Sequence, residues 1–475
     1  MRHIPPFDKI QSMTMTSIHF LFAFLPLILL AHRFAGRRLR LLILLAASLL
    51  FCWLAGGKGM ILLAGTAVFT WLAGLCISSV RSRAGKTALL IIAVSVDLAL
   101  LVFFKYRSAL FSAMPASGLL ALTEDLIPLG MSFYIFQSVS YLIDIRNGEA
   151  VLKNPVHFGV YLTFFPKLLS GPLVRLREFR SELEGKTASR TDLYEGFSRF
   201  LTGLCKKVIL ADQLSHLAAV AGVYTHTEAT TVSCLWLTTA AYSLQLYFDF
   251  SGYTDMAIGL GRIFGIRLPE NFRDPYCCRT LTDFWRRWHI SLSRWFRDYV
   301  YIPLGGSRNG SVRTVISLLI VWILTGLWHG STICYLFWGL GHFLVLVLEK
   351  FIIRPERITS GTARVLYRIF TLVWINLMWI FFPVQSPADA LRIFKGLFGL
   401  GGLPLFGPQT VYFLQNNGLL LLICFVLASP LASRVRNPRT KTGCRLAAIL
   451  WFAAVILAVS FVVRGAYNPF VYQIF

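Results

Sequence analysis

His329 stands near the middle of an uncharged apolar run from Thr314 to Leu348, in the string Gly326-Leu327-Trp328-His329-Gly330. Imidazole is the side chain best suited to moving a proton near neutral pH, and at membrane depth it is costly unless it is satisfied or used. It is either part of a functional site or a core histidine whose nitrogens bond to neighbouring carbonyls. The run alone leaves both open. A second imidazole, His289, lies in Asp283-Phe284-Trp285-Arg286-Arg287-Trp288-His289. At helical spacing Phe284, Trp285, Trp288, Leu292, Trp295, Phe296 and Tyr299 share one face, with Arg286, Arg287, Arg294 and Arg297 opposite and His289 at the aromatic margin. The pattern predicts one interfacial helix from Thr280 through Tyr299, its rings in the acyl boundary and its guanidinium groups toward anionic headgroups on the cytoplasmic side. Thr280-Leu281-Thr282-Asp283 would cap it and Pro303-Leu304-Gly305-Gly306 would end it. His289 is there either a functional group or a simple polar margin.

These groups need elements to hold them. As one helix the Thr314 to Leu348 run would measure roughly 52 Å at ~1.5 Å per residue, against a hydrocarbon core of ~30 Å. It must tilt, break or turn, and Gly326 and Gly330 supply the backbone freedom. From the basic mouth at Arg308 and Arg313 the chain would reach His329 about halfway across. The 475 residues are 56% hydrophobic and only 14% charged, with a mean hydropathy of +0.65, which excludes an ordinary soluble domain. Apolar stretches recur from Ile18 to Val463. The fold class is all-α, a polytopic integral membrane protein with about 11–13 membrane segments plus interfacial amphipathic helices.

Lys and Arg number 46 against 22 Asp and Glu, a net charge of +24. They cluster in short loops such as Arg33/Arg37/Arg38/Arg40 and Arg175/Arg177/Arg180, the positive-inside pattern of a multi-pass plasma or inner membrane protein. The partners expected from that charge are membrane lipids and not nucleic acid. The nine cysteines show no metal-ligand spacing and read as packing residues. There is no GxSxG elbow, HExxH helix or GxGxxG turn, and Gly85-Lys86-Thr87 lacks the leading glycine of a phosphate loop. No metal or resident cofactor is expected. Asp249 and Asp255, six residues apart, make a poor shared face for acid and base and read as partners for arginines. The N-terminal third has almost no intramembrane polar residues, which suggests lipid-facing scaffold, whereas the segment after Pro128 mixes hydroxyls, an amide and aromatics as a cavity wall would. Residues 1–14 are expected to be an extension with a later true start at Met13 or Met15. The rest, 1–475 overall, forms one domain whose motif-bearing core is 123–348.

SLQLYFDFSGYTDMAIGLG, NFRDPY, DFWRRWHISLSRWFRDYVYIPLGGSRNG, TGLWHG and FWGLGH, between Tyr242 and Leu348, together resemble the membrane-bound O-acyltransferase family, and within it the alginate O-acetyltransferase branch. PLGMSFYIFQSVSYLIDI, FFPKLLSGPLVR and the terminal GAYNPFVYQIF fit as well. The resemblance implies that His329 is the catalytic histidine and His289 the second histidine of the site. It implies an acyl group, acetyl-CoA or another acyl thioester being the donor, passed from the cytoplasm to hydroxyls of an extracytoplasmic polysaccharide. A separate serine-hydrolase-like acetylation partner outside the membrane is expected too. Burial disfavours imidazolium and suits His329 to the role of base; His289 would orient a substrate or steady the oxyanion. His342 is expected to be structural. Ser331-Thr332-Ile333-Cys334-Tyr335 departs from the branch's usual Ala-Asn/Ala-Trp-Thr-Phe after the histidine, which bears on the acceptor or partner. The rival functions are D-alanyl transfer to teichoic acid and, in another class, a glycan or lipid transporter, which would predict inverted repeats that this sequence does not display.

Overall fold

The computed structural model describes residues 13–110, 129–185, 187–220, 230–431, 440–465 and 470. Most of the expected N-terminal extension, the start of the segment around Pro128 and most of the terminal GAYNPFVYQIF string lie outside them. Among the described residues every regular element is helical. Seven helices are long and apolar enough to cross a bilayer: Arg37–Gly56, Gly59–Ser79, Arg83–Arg107, Gly310–His329, Ile333–Ile353, Pro408–Ala428 and Lys441–Val463. They expose large apolar side chains such as Ile92, Leu422, Ile449 and Phe452, which a lipid environment solvates and water would not. Other apolar stretches fold as shorter pieces, including Met131–Arg146 and the pair Pro155–Thr163 and Phe165–Leu168.

The chain forms two compact units. The first holds 1–200, 256–268 and 462–467. Its core is a cluster of rings in which Phe165 meets Phe24 at 5.5 Å, Phe51 at 5.6 Å and Phe264 at 5.8 Å. Met13 and Met15 are buried, and the Met13 N–H donates to the Leu54 carbonyl. The N-terminal third is less apolar inside than its composition suggests: Asp97, Thr66 and Thr70 are buried on spanning helices. Polar side chains also fill the interior of Met131–Arg146, where Gln137 donates to the Tyr161 carbonyl and accepts from the buried Lys167 ammonium.

The second unit holds 201–255, 269–461 and 468–475, and contains both histidines of interest. One apolar core runs from Leu210 to Ala428 and is rich in large rings, among them Phe284, Trp288, Trp338 and Trp379. The single helix expected from Thr280 through Tyr299 is in fact three pieces, Leu281–Trp285, Ile290–Phe296 and a π-turn at Arg297–Tyr301. Its Phe284, Trp288, Trp295 and Phe296 rings are buried in protein, not spread on an acyl boundary. The aromatic spacing that suggested one amphipathic surface reflects inward packing, which uses the same residue types as an interface does.

Asp249 and Asp255 do find basic neighbours, and among the described residues these are the lysines of one turn in place of the expected arginines. The buried Lys207 ammonium donates to Asp249 at 2.6 Å and stands 2.8 Å from Asp212. Lys206 pairs with Asp255 at 2.7 Å, and the Phe470 ring covers Lys207 at 4.5 Å. A cation shared by two buried carboxylates cannot be removed without stranding their charge. Lys207→Met should therefore cost about 3–5 kcal/mol of folding stability, read as a lowered thermal midpoint and poorer yield of monodisperse protein in detergent; an unchanged midpoint would show the cluster to be dispensable.

Candidate active site

The long apolar run does break, and it breaks directly after the histidine. His329 is the last residue of the 20-residue helix Gly310–His329, and Gly330 continues in extended conformation before Ile333–Leu348 begins. His329 thus stands at the end of a bilayer-length helix instead of halfway along a span. The two helices form a tight hairpin. A Cβ on Gly326 would fall 2.7 Å from the Tyr335 carbonyl oxygen, and one on Gly339 would fall 2.6 Å from that of Trp322, so small residues let the backbones touch as in other membrane helix pairs.

Around the buried His329 ring, Trp328 and Trp338 each stand 4.7 Å away, Phe382 stands at 5.1 Å, and Tyr335 lies nearly parallel at 6.3 Å. This apolar wall excludes water from the ring. His342 lies one turn beyond Trp338, against Trp285, Trp322 and Trp338. It is fully buried, and neither of its ring nitrogens has a hydrogen-bond partner among the described residues.

His289 is also buried and meets Phe250 edge-on at 4.7 Å and Trp328 at 6.1 Å. Trp328 therefore touches both imidazoles, one from each side of a sequence gap of forty residues. The break that places His289 is local: the residue adopts φ +43 and ψ +54, the left-handed region that a non-glycine side chain enters only when its surroundings hold it there. Asn271 supplies the hold. Its backbone carbonyl accepts the Ile290 N–H at 2.9 Å, and its side-chain oxygen lies 3.0 Å from Ser291 N, 2.9 Å from Ser291 Oγ and 3.2 Å from His289 Nδ1.

Upstream, Thr280 caps Leu281–Trp285 by accepting the Asp283 N–H, as the capping motif predicts. Asp283 accepts the Arg279 N–H and pairs with Arg287 at 2.8 Å. A second anchor comes from farther along the chain. The buried Glu349 carboxylate accepts the Leu281 N–H at 2.7 Å, the Thr282 N–H at 2.8 Å, the Thr282 hydroxyl at 2.6 Å and the Tyr367 hydroxyl at 2.9 Å. An anion at a helix N-terminus is favoured by the exposed N–H groups there. Neither Asn271 nor Glu349 stands out by spacing: Asn271 carries a weak signal as the first residue of NFRDPY, and Glu349 carries none.

The family of sequences described as membrane-bound O-acyltransferases matches residues 86–387. A probable alginate O-acetylase AlgI of Pseudomonas putida is 35% identical over 97% of this chain and 99% of its own length. The chain belongs to the membrane-bound O-acyltransferase family. It is accordingly an O-acyltransferase and a multi-pass integral membrane protein, which sets the transporter alternative aside. A peptidoglycan O-acetyltransferase of Helicobacter pylori is 33% identical over 86% of this chain and 85% of its own length. A teichoic acid D-alanyltransferase of Bacillus subtilis is 32% identical over 47% of this chain and 59% of its own length.

Two outcomes follow for this candidate site. Glu349→Ala would orphan two N–H groups and two hydroxyls, costing about 2–3 kcal/mol, and would lower activity through His289; Glu349→Gln, with one carbonyl oxygen left to accept, should fall between. Membrane abundance and turnover measured together check this. Burial pushes the His289 imidazole down to about 3. Between that value and the ordinary ~6.5 the unfolded chain binds the extra proton and the folded chain does not, so stability falls as pH drops through this window. His289→Gln should remove that share of the acid destabilisation, roughly 2 kcal/mol between pH 6.5 and 5, measured as thermal midpoint against pH in detergent.

Proposed function

We propose that this O-acyltransferase moves an acetyl group from a cytoplasmic acyl thioester, acetyl-CoA or a similar donor, to hydroxyls of an extracytoplasmic polysaccharide. The observation that carries the proposal is the pair of buried imidazoles sharing Trp328 in a chain aligned over nearly its whole length with a probable alginate O-acetylase. An alginate-like polymer or another cell-surface glycan is the acceptor class, and the plasma or inner membrane is the location. The D-alanyl alternative is less favoured because the alignment to the teichoic acid enzyme covers under half of the chain.

In this mechanism a neutral His329 accepts the proton of an acceptor hydroxyl as its oxygen attacks the thioester carbonyl carbon. The tetrahedral intermediate collapses with cleavage of the carbon–sulfur bond. The thiolate leaves, taking the proton back from His329, so that ester and thiol are the products and the imidazole is again neutral. His289 acts on the same reacting groups, and the aromatic wall of Trp338, Phe382 and Tyr335 keeps water from competing for the acyl group. The hydroxyl that receives the acetyl belongs either to the polymer or to an extracytoplasmic serine-hydrolase-like partner that completes transfer to it.

The test is ester-linked acetate on the isolated surface polysaccharides of a host carrying wild-type protein or His329→Ala at matched membrane abundance. Loss of acetate from one polymer in the variant, by 10²-fold or more, roughly as for loss of a general base, supports the proposal and identifies the acceptor. Acetate unchanged in both the variant and a deletion strain would remove acetylation of surface glycans as the function.

A further inference from the structure

The part His289 can play depends on which of its ring nitrogens carries a hydrogen, and Asn271 decides that. The Ser291 backbone N–H donates to the Asn271 side-chain oxygen at 3.0 Å. A backbone N–H can only donate, so the atom facing it is the carboxamide oxygen; turned over, the amide would set its NH2 against that N–H. The Ser291 hydroxyl donates to the same oxygen at 2.9 Å. His289 Nδ1 lies 3.2 Å from it. A carboxamide oxygen only accepts, so Nδ1 holds the hydrogen and Nε2 the lone pair. The left-handed backbone at His289 and the bond from Ile290 N–H to the Asn271 carbonyl keep ring and carboxamide in register.

We propose that Asn271 is a positioning residue that fixes neutral His289 with its hydrogen on Nδ1, so that His289 serves acyl transfer as a hydrogen-bond acceptor through Nε2, holding the incoming hydroxyl, and not as a donor to the oxyanion. This rests on the assignment of His289 to the acyl-transfer site. Of the two duties open to His289, orienting a substrate or steadying developing negative charge, the second needs a hydrogen on Nε2. Burial supports the neutral ring, and the described side chains Phe250, Asn271 and Trp328 that meet it are uncharged; His329, which packs on the same Trp328, is a titratable group nearby. The choice of carboxamide over carboxylate matters for the same reason. An aspartate of identical shape would draw a second proton onto the ring and turn Nε2 into a donor.

The first experiment is 15N NMR of histidine-labelled protein in lipid nanodiscs, the His289 signals being assigned by their loss in His289→Gln. The expected result is a protonated Nδ1 and an unprotonated Nε2 at neutral pH; a hydrogen on Nε2 overturns the proposal. The second is the pH profile of Asn271→Asp, which keeps the oxygen that Ser291 needs and so guards against a variant that merely fails to fold. Its acid limb should move up by roughly one pH unit or more as His289 gains a proton more readily, with activity recovering in alkali, and Asn271→Ala should lose about 10- to 100-fold in kcat at every pH. A profile for Asn271→Asp that superimposes on the wild type overturns the proposal. His289→Ala separates the two layers. Full activity in that variant removes His289 from the site altogether, whereas an inactive His289→Ala combined with a hydrogen on Nε2 leaves the site assignment standing and removes only the positioning role of Asn271.

Discussion

A helix that breaks inside a low-dielectric interior releases backbone N–H and C=O groups that have no water to turn to, and the break at Arg286–His289 is arranged around that constraint. Several of the freed groups are met by protein. Arg287 N–H and Trp288 N–H return to the Phe284 carbonyl, Ile290 N–H goes to Asn271, and the Arg287 carbonyl receives the Arg273 N–H. The NFRDPY segment therefore acts as a splint laid against the broken helix. Without the splint the left-handed residue at the break would relax toward ordinary helix, and the imidazole would turn with it.

The same logic governs the other end of that segment. Leu281–Trp285 is a helix of five residues, too short to persist on its own hydrogen bonds, and it begins in the interior of the unit. Glu349 compensates by placing a carboxylate where the unpaired N–H groups point, while Tyr367 holds the carboxylate in turn. Buried charge is tolerated at this point because every oxygen is used. The Lys207 turn follows the same rule with the opposite sign, one ammonium answering two carboxylates.

Much of this is legible in the residues. The class follows from composition, the hairpin from a run too long to be one span with glycines beside its histidine, and the start of Leu281–Trp285 from Thr280. The break at His289 is not legible, because Phe284, Trp288, Trp295 and Phe296 continue at helical spacing across it, and rings packed inward leave the same periodic trace as rings laid on a membrane. Asn271, which holds the break, sits 18 positions from His289, and Glu349, which anchors the helix leading into it, sits 68 positions from Leu281, beyond the reach of any local pattern. Likewise Asp249 and Asp255 announce a need for cations but not which ones, since the partners come from a turn more than forty residues earlier. Local signals locate the chemistry; long-range hydrogen bonds aim it.

The hairpin that ends on His329 joins helices adjacent in the chain and is closed by Gly326 and Gly339, so its contacts are near neighbours in sequence and can form as soon as both helices are in the bilayer. The splint from Asn271 to His289 spans 18 positions and lies wholly before that hairpin in the chain, whereas the clamp from Glu349 on Leu281 spans 68 and waits until the hairpin has been made. Loop closure makes such distant contacts the slower ones to form. The short helix that leads into His289 is thereby anchored at its start only after the hairpin carrying His329 is complete, so the two imidazoles come to rest together late in biogenesis.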